Sequence, residues 1–310
     1  MADEAFFEKQ EEGRRQFLAL VESVRPELHR YCARMTGSAA EGEDVVQDAL
    51  ARAYYELPEL RELPALRAWL FRIAHNRALD YARRYERRMG APLEDAMELQ
   101  DESTPDPQEA AAREQAVRLA MSRFLELAPV QRSCVILKDV LGHDLEEIAV
   151  LTRLGVPAVK AALHRGREKL RELSRSPDLP PRRALSPALL RYAELFNAHD
   201  WEGVRALLLE DVELDLVSRS RRAGRERVSQ YFTNYGKTAG WRMAPGWLDG
   251  REVLAVFTRP DAERPAYFIE LALAGGRVAR IRDFRYVPYI ASEAAIALAA
   301  EGYSGIAPKM

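Results

Sequence analysis

The segment Leu127–Arg171 reads LAPVQRSCVILKDVLGHDLEEIAVLTRLGVPAVKAALHRGREKLR, and its pattern predicts two consecutive helices joined by a tight turn. Asp144 precedes the first helix and Glu147 follows three residues later, which is the spacing of a capping box. Gly155 and Pro157 mark the start of the second helix, because proline is tolerated in a first helical turn. The segment therefore predicts a helix-turn-helix, whose second helix can enter the major groove of DNA.

The second helix of this motif has one apolar and one basic face. Its apolar residues recur at helical spacing and predict a buried stripe made of Val156, Val159, Leu163, Leu170 and Leu173. Off that stripe, we expect Lys160 and His164 to reach base edges and the following basic residues to contact phosphate. The alternative is a solvated basic helix in an ordinary bundle. The residues assigned to DNA in this helix are Lys160, Ala161, His164, Arg165 and Arg167.

A second arginine-rich segment lies upstream, where residues 61–88 contain eight arginines against three acids. Leu66, Trp69, Leu70 and Ile73 are predicted to pack inward. The aromatic residues among the arginines suit a DNA strand whose bases are partly unstacked. The alternative is a charged helix face with internal Glu/Arg pairs. The polar and basic residues that recur on one face of this helix are Arg72, Asn76, Asp80, Arg83 and Arg84.

Charge is segregated along the 310 residues, although the formal net charge is only −2. Residues 91–112 contain seven acids and no base, so they predict a flexible acidic linker. The low bulk charge argues against a protein that binds DNA by overall charge alone. Local basic faces therefore have to carry the contacts with phosphate.

The remaining composition argues against several protein classes. The acidic N-terminus predicts no signal peptide, and no apolar run reaches the length of a membrane span. The histidines are scattered, so we expect neither a metal site nor a cofactor. Cys32 and Cys134 lie in apolar helical patterns and are predicted to be buried free thiols in a reducing, cytoplasmic setting.

The pattern changes after Pro187, where a pair of amphipathic helices precedes several strand-like runs. Gly275–Gly276 between the last two runs predicts a hairpin. We expect an α+β domain with an antiparallel sheet, followed by a partly helical tail.

Three features of this domain have both a functional and a structural interpretation. Asp283 is a candidate acid in a pocket, or a structural partner of Arg285 or Arg282. Aromatic residues either line a ligand cavity or form the core. His199–Asp200 resembles a dyad, but its position between two helices predicts a turn with a cap. The aromatic residues in question are Trp241, Trp247 and Phe257.

Four segments occur in a fixed order: DVVQDALARAYYEL (44–57), AWLFRIAHNRALDYARR (68–84), APVQRSCVILKDVLGHDLEEIA (128–149) and VPAVKAALHRGREKL (156–170). Together they closely resemble the extracytoplasmic-function (ECF) sigma factors of bacterial RNA polymerase, over about residues 14–175. Three further segments, NAHDWEGVRALL (197–208), AGRERVSQYF (223–232) and RVARIRDFRY (277–286), resemble the SnoaL-like cone. The resemblance implies two all-α sigma domains, a helical bundle and a helix-turn-helix, followed by an α+β cone with a curved antiparallel sheet.

The resemblance also implies roles for individual residues. Asp44, Gln47 and Asp48 match the face that docks on core RNA polymerase. The loop 59–67, with Arg61 and Leu66, matches the one that captures a flipped base of the −10 promoter element. Leu66 stands where phenylalanine is common, and Gly155 where serine or threonine is common. The helix beneath the loop matches at Trp69, Arg72, Asn76 and Arg83, and the reader of the −35 element matches at Lys160, Ala161, His164 and Arg165.

The resemblance predicts a factor that binds core RNA polymerase and promoter DNA, performs no covalent chemistry and is regulated in cis by its C-terminal domain. The resemblance leaves open an unidentified ligand of that domain, and no membrane partner is expected. The alternative is a small-molecule-sensing DNA-binding regulator, or a SnoaL-like enzyme fused to a helix-turn-helix. The predicted divisions are the region 2 domain (14–90), the acidic linker (91–112), the region 4 domain (113–175), a proline-rich linker (176–186), the SnoaL-like domain (187–290) and a tail (291–310).

Overall fold

The computed structural model describes residues 2–57, 66–89, 121–175, 184–237, 240–293 and 296–299, and within these it describes the side chains outside 2–14, 86–89, 292–293 and 296. The chain forms two compact units, Met1–Asp178 and Leu179–Met310. The predicted acidic linker lies outside the described residues, as does most of the proline-rich one. The finer division of the chain into domains stays a prediction.

The first unit is entirely helical in its described residues. A short 3₁₀ helix (Met121–Glu126) precedes α4, and one π-helical turn (Ile136–Val140) follows it. The α-helices are α1 (Ala2–Thr36), α2 (Ala39–Glu56), α3 (Leu66–Met89), α4 (Pro129–Val135), α5 (Leu145–Thr152) and α6 (Val156–Ser174).

Two packed groups of helices make up this unit. Helices α1, α2 and α3 contact one another in sequence order, which confirms the helical bundle, and α5 and α6 form the helix-turn-helix. Leu66, Leu70 and Ile73 are buried on α3 as predicted, and Trp69 packs partly buried against the same core. Buried residues of both groups belong to one continuous apolar cluster. The two groups are therefore packed against each other in this unit.

The second unit combines helices with one seven-stranded sheet of order β2-β1-β6-β5-β4-β3-β7. Its helices are α7 (Pro187–Asn197), α8 (Trp201–Ala206), α9 (Arg225–Gly236) and α10 (Tyr289–Glu293). Its strands are β1 (Leu208–Leu216), β2 (Ser220–Ala223), β3 (Arg242–Leu248), β4 (Arg251–Phe257), β5 (Tyr267–Ala274), β6 (Arg277–Asp283) and β7 (Ile296–Leu298).

The sheet agrees with the predicted α+β domain in most of its pairings. Gly275 and Gly276 both have positive φ (58° and 77°), which a two-residue hairpin between β5 and β6 requires. The pairings are antiparallel except for β1 with β6, which is parallel. The sheet is therefore mixed, with β1 and β6 as adjacent parallel strands although they are far apart in sequence.

The tail departs from its prediction. Residues 289–293 are helical as expected, but Ile296–Leu298 forms β7 against β3. Pairing covers the backbone groups that β3 would otherwise expose at an edge. Gly246 permits this approach, because a Cβ atom there would lie 2.6 Å from the carbonyl oxygen of Ala297.

Both cysteines are buried free thiols, as predicted. Burial raises the pKa of the Cys134 thiol to about 12 and raises that of Cys32 further, so neither forms a thiolate readily. Across the described part of the chain, no helix is long and apolar enough to cross a membrane.

Candidate nucleic-acid interface

The helix-turn-helix has the capping predicted from its sequence. Asp144 Oδ1 accepts from the backbone N–H of Glu147 at 2.7 Å, and the Glu147 carboxylate accepts from the backbone N–H of Asp144 at 3.1 Å. Helix α5 ends at Thr152 and is followed by Arg153, which has φ 58°, and Gly155 precedes α6 without a side-chain cap. The capping box satisfies two orphan N–H groups at the start of α5, which fixes where α5 begins.

Helix α6 buries its apolar stripe and exposes part of its basic face. Val159, Leu163, Leu170 and Leu173 are buried, and Val156 is half-buried. Lys160 is exposed, and His164 is 69 % exposed with Nδ1 3.6 Å from the Glu168 carboxylate. Ala161 and Arg165 are half-buried. The side chains of Lys160 and His164 are therefore accessible to base edges in a groove of DNA.

Arg167 lies in an ion pair within this unit, and its contact with phosphate stays a prediction. Its guanidinium makes two hydrogen bonds to the Asp139 carboxylate, at 2.9 Å and 2.5 Å. The Asp139 side chain is 1 % exposed and that of Arg167 is 12 % exposed. Breaking this bidentate pair is unfavourable, because it would leave the buried Asp139 carboxylate without its partner.

Helix α3 presents a polar face at one side of the first group of helices. The side chains of Arg72, Asn76, Arg83 and Arg84 are exposed there. Trp69 is half-buried and packs against the core. Leu66 is 4 % exposed because it packs in the core, and its contact with DNA stays a prediction. Arg61 lies outside the described residues.

The three residues assigned to polymerase lie together on α2. Asp44 and Asp48 are exposed, while Gln47 is half-buried and donates to the Glu43 carboxylate at 3.3 Å. The Asp48 carboxylate lies 3.1 Å from Nε of Arg77 on α3. This set forms an acidic face on the side of α2 that points away from the core.

A buried polar cluster connects the two groups of helices, and the sequence did not indicate it. The Tyr31 hydroxyl lies 2.7 Å from His75 Nδ1 and 2.9 Å from Ser133 Oγ, which is itself 3.2 Å from His75 Nδ1. Burial, followed by the charge of Arg83, lowers the pKa of His75 to about 4. We call these three residues, from α1, α3 and α4, the connecting cluster.

Arg132 on α4 adds a second polar link, to the end of α1 and to the segment that precedes α4. It is 2 % exposed, and its guanidinium donates to the carbonyl oxygens of Met35, Leu125 and Leu127 at 2.8, 3.1 and 2.9 Å. The Met35 carbonyl is among the last four of α1, which lack partners within a helix. Nearby, α3 and α5 border a cavity of about 340 Å³, with Arg67, Phe71, His143 and Val150 among its lining residues.

The second unit buries Asp283 completely. Its Oδ2 accepts from the hydroxyls of Tyr231 at 2.6 Å and Tyr235 at 3.1 Å, and its Oδ1 accepts from the backbone N–H of Arg285 at 2.8 Å. Burial raises the pKa of this carboxyl, and the hydrogen bonds oppose that rise. The contact with Arg285 is therefore through the backbone, while the Arg282 guanidinium lies near Glu270 and Asp215.

The other candidate residues of this unit either pack against the core or belong to a helix cap. Phe257 is buried with the Arg242 guanidinium 3.9 Å from its ring centroid, and Trp241 and Trp247 are half-buried. Asp200 accepts from the backbone N–H of Gly203 at 2.8 Å, so His199–Asp200 is a turn with a cap, as predicted. Within the described residues, no group of three or more His, Cys, Asp or Glu side chains is arranged to hold a metal ion.

A helix-turn-helix packed beside a helix with an exposed basic face is typical of DNA-binding proteins, and comparison with known proteins gives the family. Family models described as Sigma-70 region 2 and Sigma-70, region 4 match residues 20–88 and 118–170. The ECF RNA polymerase sigma factor SigG of Mycobacterium tuberculosis is 30% identical over 298 residues, covering 86% of this chain and 72% of that protein. The chain therefore belongs to the ECF RNA polymerase sigma factors, which bind core RNA polymerase and promoter DNA.

Two solved structures are also similar. The crystal structure of the M. tuberculosis ECF sigma factor SigJ covers 86% of this chain and 95% of that one, at 19% identity and a TM-score of 0.36. An NTF-2 like protein of unknown function from Burkholderia xenovorans covers 31% of this chain and 77% of that one, at 19% identity and a TM-score of 0.26.

Proposed function

We propose that this chain directs core RNA polymerase to specific promoters, with α2 docking on the polymerase and α3 and α6 reading the −10 and −35 elements. The observation that carries this proposal is the exposure of Arg72 and Asn76 on α3 together with Lys160 and His164 on α6. These are two separate polar faces on one unit, each supported by a buried apolar stripe. The chain itself performs no covalent chemistry, acts in the cytoplasm and needs no cofactor.

The packing of the first unit supports a dependence on polymerase. Promoter elements named −10 and −35 are about 25 base pairs apart, which is roughly 85 Å along B-DNA at ~3.4 Å per base pair. Helix α3 contacts α5 of the helix-turn-helix directly in this unit. Two readers packed in this way do not span such a distance, so we propose that polymerase separates them when it binds.

Run-off transcription with core polymerase on genomic fragments tests the proposal. Lys160→Ala and Arg72→Ala each remove one exposed basic side chain from a proposed reading face, and we expect each to lower promoter-specific output by roughly tenfold or more. Arg52→Ala on α2 is the matched control, since Arg52 is a basic residue that pairs with Glu56 on its own helix. Equal output from all three variants would contradict the assignment of these faces.

The second unit is proposed to regulate the first in cis and to bind a small ligand. Its buried carboxylate and aromatic residues are not needed for reading DNA, which supports a separate role. Truncation after Ser174 tests the regulatory part, because the first unit has its own apolar core. Promoter-specific output equal to that of the full-length chain would rule out regulation in cis.

A further inference from the structure

One ion pair joins the exposed sides of α2 and α3, two helices that pack against each other in the first unit. The Asp48 carboxylate on α2 lies 3.1 Å from Nε of Arg77 on α3. The Asp48 side chain is 56 % exposed and that of Arg77 is 28 % exposed. We call these two residues the helix-bridging pair. It connects the acidic face of α2 with the helix that carries the proposed reader of the −10 element.

Arg77 lies at the border of the polar face of α3. It directly follows Asn76, which is exposed on that face. Successive residues of an α-helix are about 100° apart around its axis, so Arg77 flanks the face rather than lying within it. An arginine side chain is long, carries five N–H donors and binds phosphate oxygens well. Once released from Asp48, Arg77 can therefore contact the DNA backbone next to the bases that α3 is proposed to read.

Pairing offsets the charge that each member would offer to a partner outside the chain. Arg77 attracts phosphate through its positive charge, and the Asp48 carboxylate beside it offsets that charge. Asp48 belongs to the acidic face that is proposed to dock on polymerase, and Arg77 engages its carboxylate in the same way. In the free chain, one residue of each proposed interface thus neutralises a residue of the other.

The exposure of the helix-bridging pair allows its partners to be exchanged. Exposed ion pairs contribute little to stability, because water and salt screen them. The pair of Arg167 with Asp139 differs, since two hydrogen bonds hold a carboxylate that is only 1 % exposed. Breaking that buried pair is unfavourable, whereas Asp48 can exchange Arg77 for a cation of another protein at small cost. The helix-bridging pair is therefore suited to being broken when a partner binds.

We propose that Asp48 holds Arg77 away from DNA in the free chain, and that polymerase docking on α2 takes over Asp48 and frees Arg77 to contact a phosphate of the −10 strand. The inference rests on the proposed function of α2 and α3 and adds the means by which docking at one helix regulates the other. It also gives a physical reason, local to one ion pair, why weak DNA binding is expected until polymerase is present.

A double-mutant cycle on the free full-length chain tests the first half of this proposal. Binding of a fluorescein-labelled oligothymidylate is measured by fluorescence anisotropy over a range of salt concentrations. Asp48→Asn should tighten binding about threefold, and the slope of log K against log salt should steepen by about 0.7, the value for one more phosphate contact on a single strand. In an Arg77→Gln background, Asp48→Asn should leave the slope unchanged. This background is the matched control, because the same negative charge is removed but no cation is released.

Measurements with core polymerase test the second half. Arg77→Gln should weaken promoter binding by the assembled complex about threefold, and should tighten polymerase binding without DNA by a similar factor, because Asp48 then has no partner to leave. An equal slope change from Asp48→Asn in both backgrounds, or in neither, would overturn the proposal, as would promoter binding that does not respond to Arg77→Gln. Failure to assemble with polymerase would contradict the proposed function, and the cycle on the free chain distinguishes that failure from failure of the helix-bridging pair.

Discussion

Each unit of the chain buries a cluster of polar side chains, and the two clusters differ in what surrounds them. In the connecting cluster, Tyr31, His75 and Ser133 lie on three helices and satisfy one another's hydrogen bonds. In the second unit, Tyr231 and Tyr235 donate to Asp283, but the buried Tyr192 hydroxyl and Trp241 Nε1 have no acceptor within the part of the chain that the structure describes. The comparison teaches that a complete cluster supports packing, whereas one bordered by unsatisfied donors is a candidate binding site.

The largest effect is expected at Arg132, which supports the connecting cluster. Arg132→Ala removes three hydrogen bonds to carbonyl oxygens and should lower the free energy of unfolding of the first unit by roughly 3–5 kcal/mol. Denaturant unfolding measures this loss. Arg52→Ala, an exposed i,i+4 pair with Glu56, should cost no more than about 0.5 kcal/mol. Similar values for both variants would show that Arg132 does not support the packing.

Acid should weaken the first unit through His75. Its pKa is lowered from 6.5 to about 4, so between those values the unfolded chain binds more protons and stability falls as pH drops. The shift corresponds to roughly 3 kcal/mol lost from pH 7 to pH 4. Unfolding measured across this range in wild type and in His75→Asn checks the prediction. An identical pH dependence in both proteins would contradict it.

Removing one hydroxyl from the connecting cluster should have a smaller effect. Ser133→Ala deletes a buried group bonded to both Tyr31 and His75, and should lower the free energy of unfolding by about 1–2 kcal/mol. Ser23→Ala, at an exposed serine that bonds to its own helix, is the matched control. A Ser133→Ala protein as stable as this control would show that the cluster is not needed for packing.

Acid should stabilise the second unit, opposite to its effect on the first. This should be the smallest of the four predicted changes in stability. The pKa of Asp283 is raised by burial, so the folded state holds its proton at a pH where the unfolded chain has lost it. Stability of this unit should therefore rise as pH falls from neutral towards the usual range of an aspartate. Asp283→Asn should remove that slope. A slope unchanged by the substitution would mean that Asp283 does not titrate as described.

Local patterns predicted much of this architecture. The capping box of α5, the apolar stripe of α6 and the Gly275–Gly276 hairpin each depend on residues a few positions apart. The connecting cluster joins residues up to 102 positions apart, so no local pattern reveals it. Arg167 likewise pairs with Asp139, 28 positions away, which helical spacing alone did not indicate.

The candidate site residues show the same contrast between features that local patterns predict and features that depend on distant residues. Exposure of Lys160 and Arg72 follows from helical periodicity, because residues opposite an apolar stripe face outward. Tyr231 and Tyr235 share one face of α9 at i, i+4, a signal that was present in the sequence, but their common partner Asp283 lies about 50 positions away on a strand. Strand β7 was missed because its alanine-rich segment has higher helix propensity than strand propensity.

The central claim is that the two reading faces act on promoter DNA when the chain is bound to core RNA polymerase. A gel shift with a promoter fragment, with and without core polymerase, tests it most directly. The account predicts weak, salt-sensitive binding by the chain alone and a stable, sequence-specific complex when polymerase is added. Tight specific binding to duplex DNA without polymerase, or failure to assemble with polymerase, would contradict it.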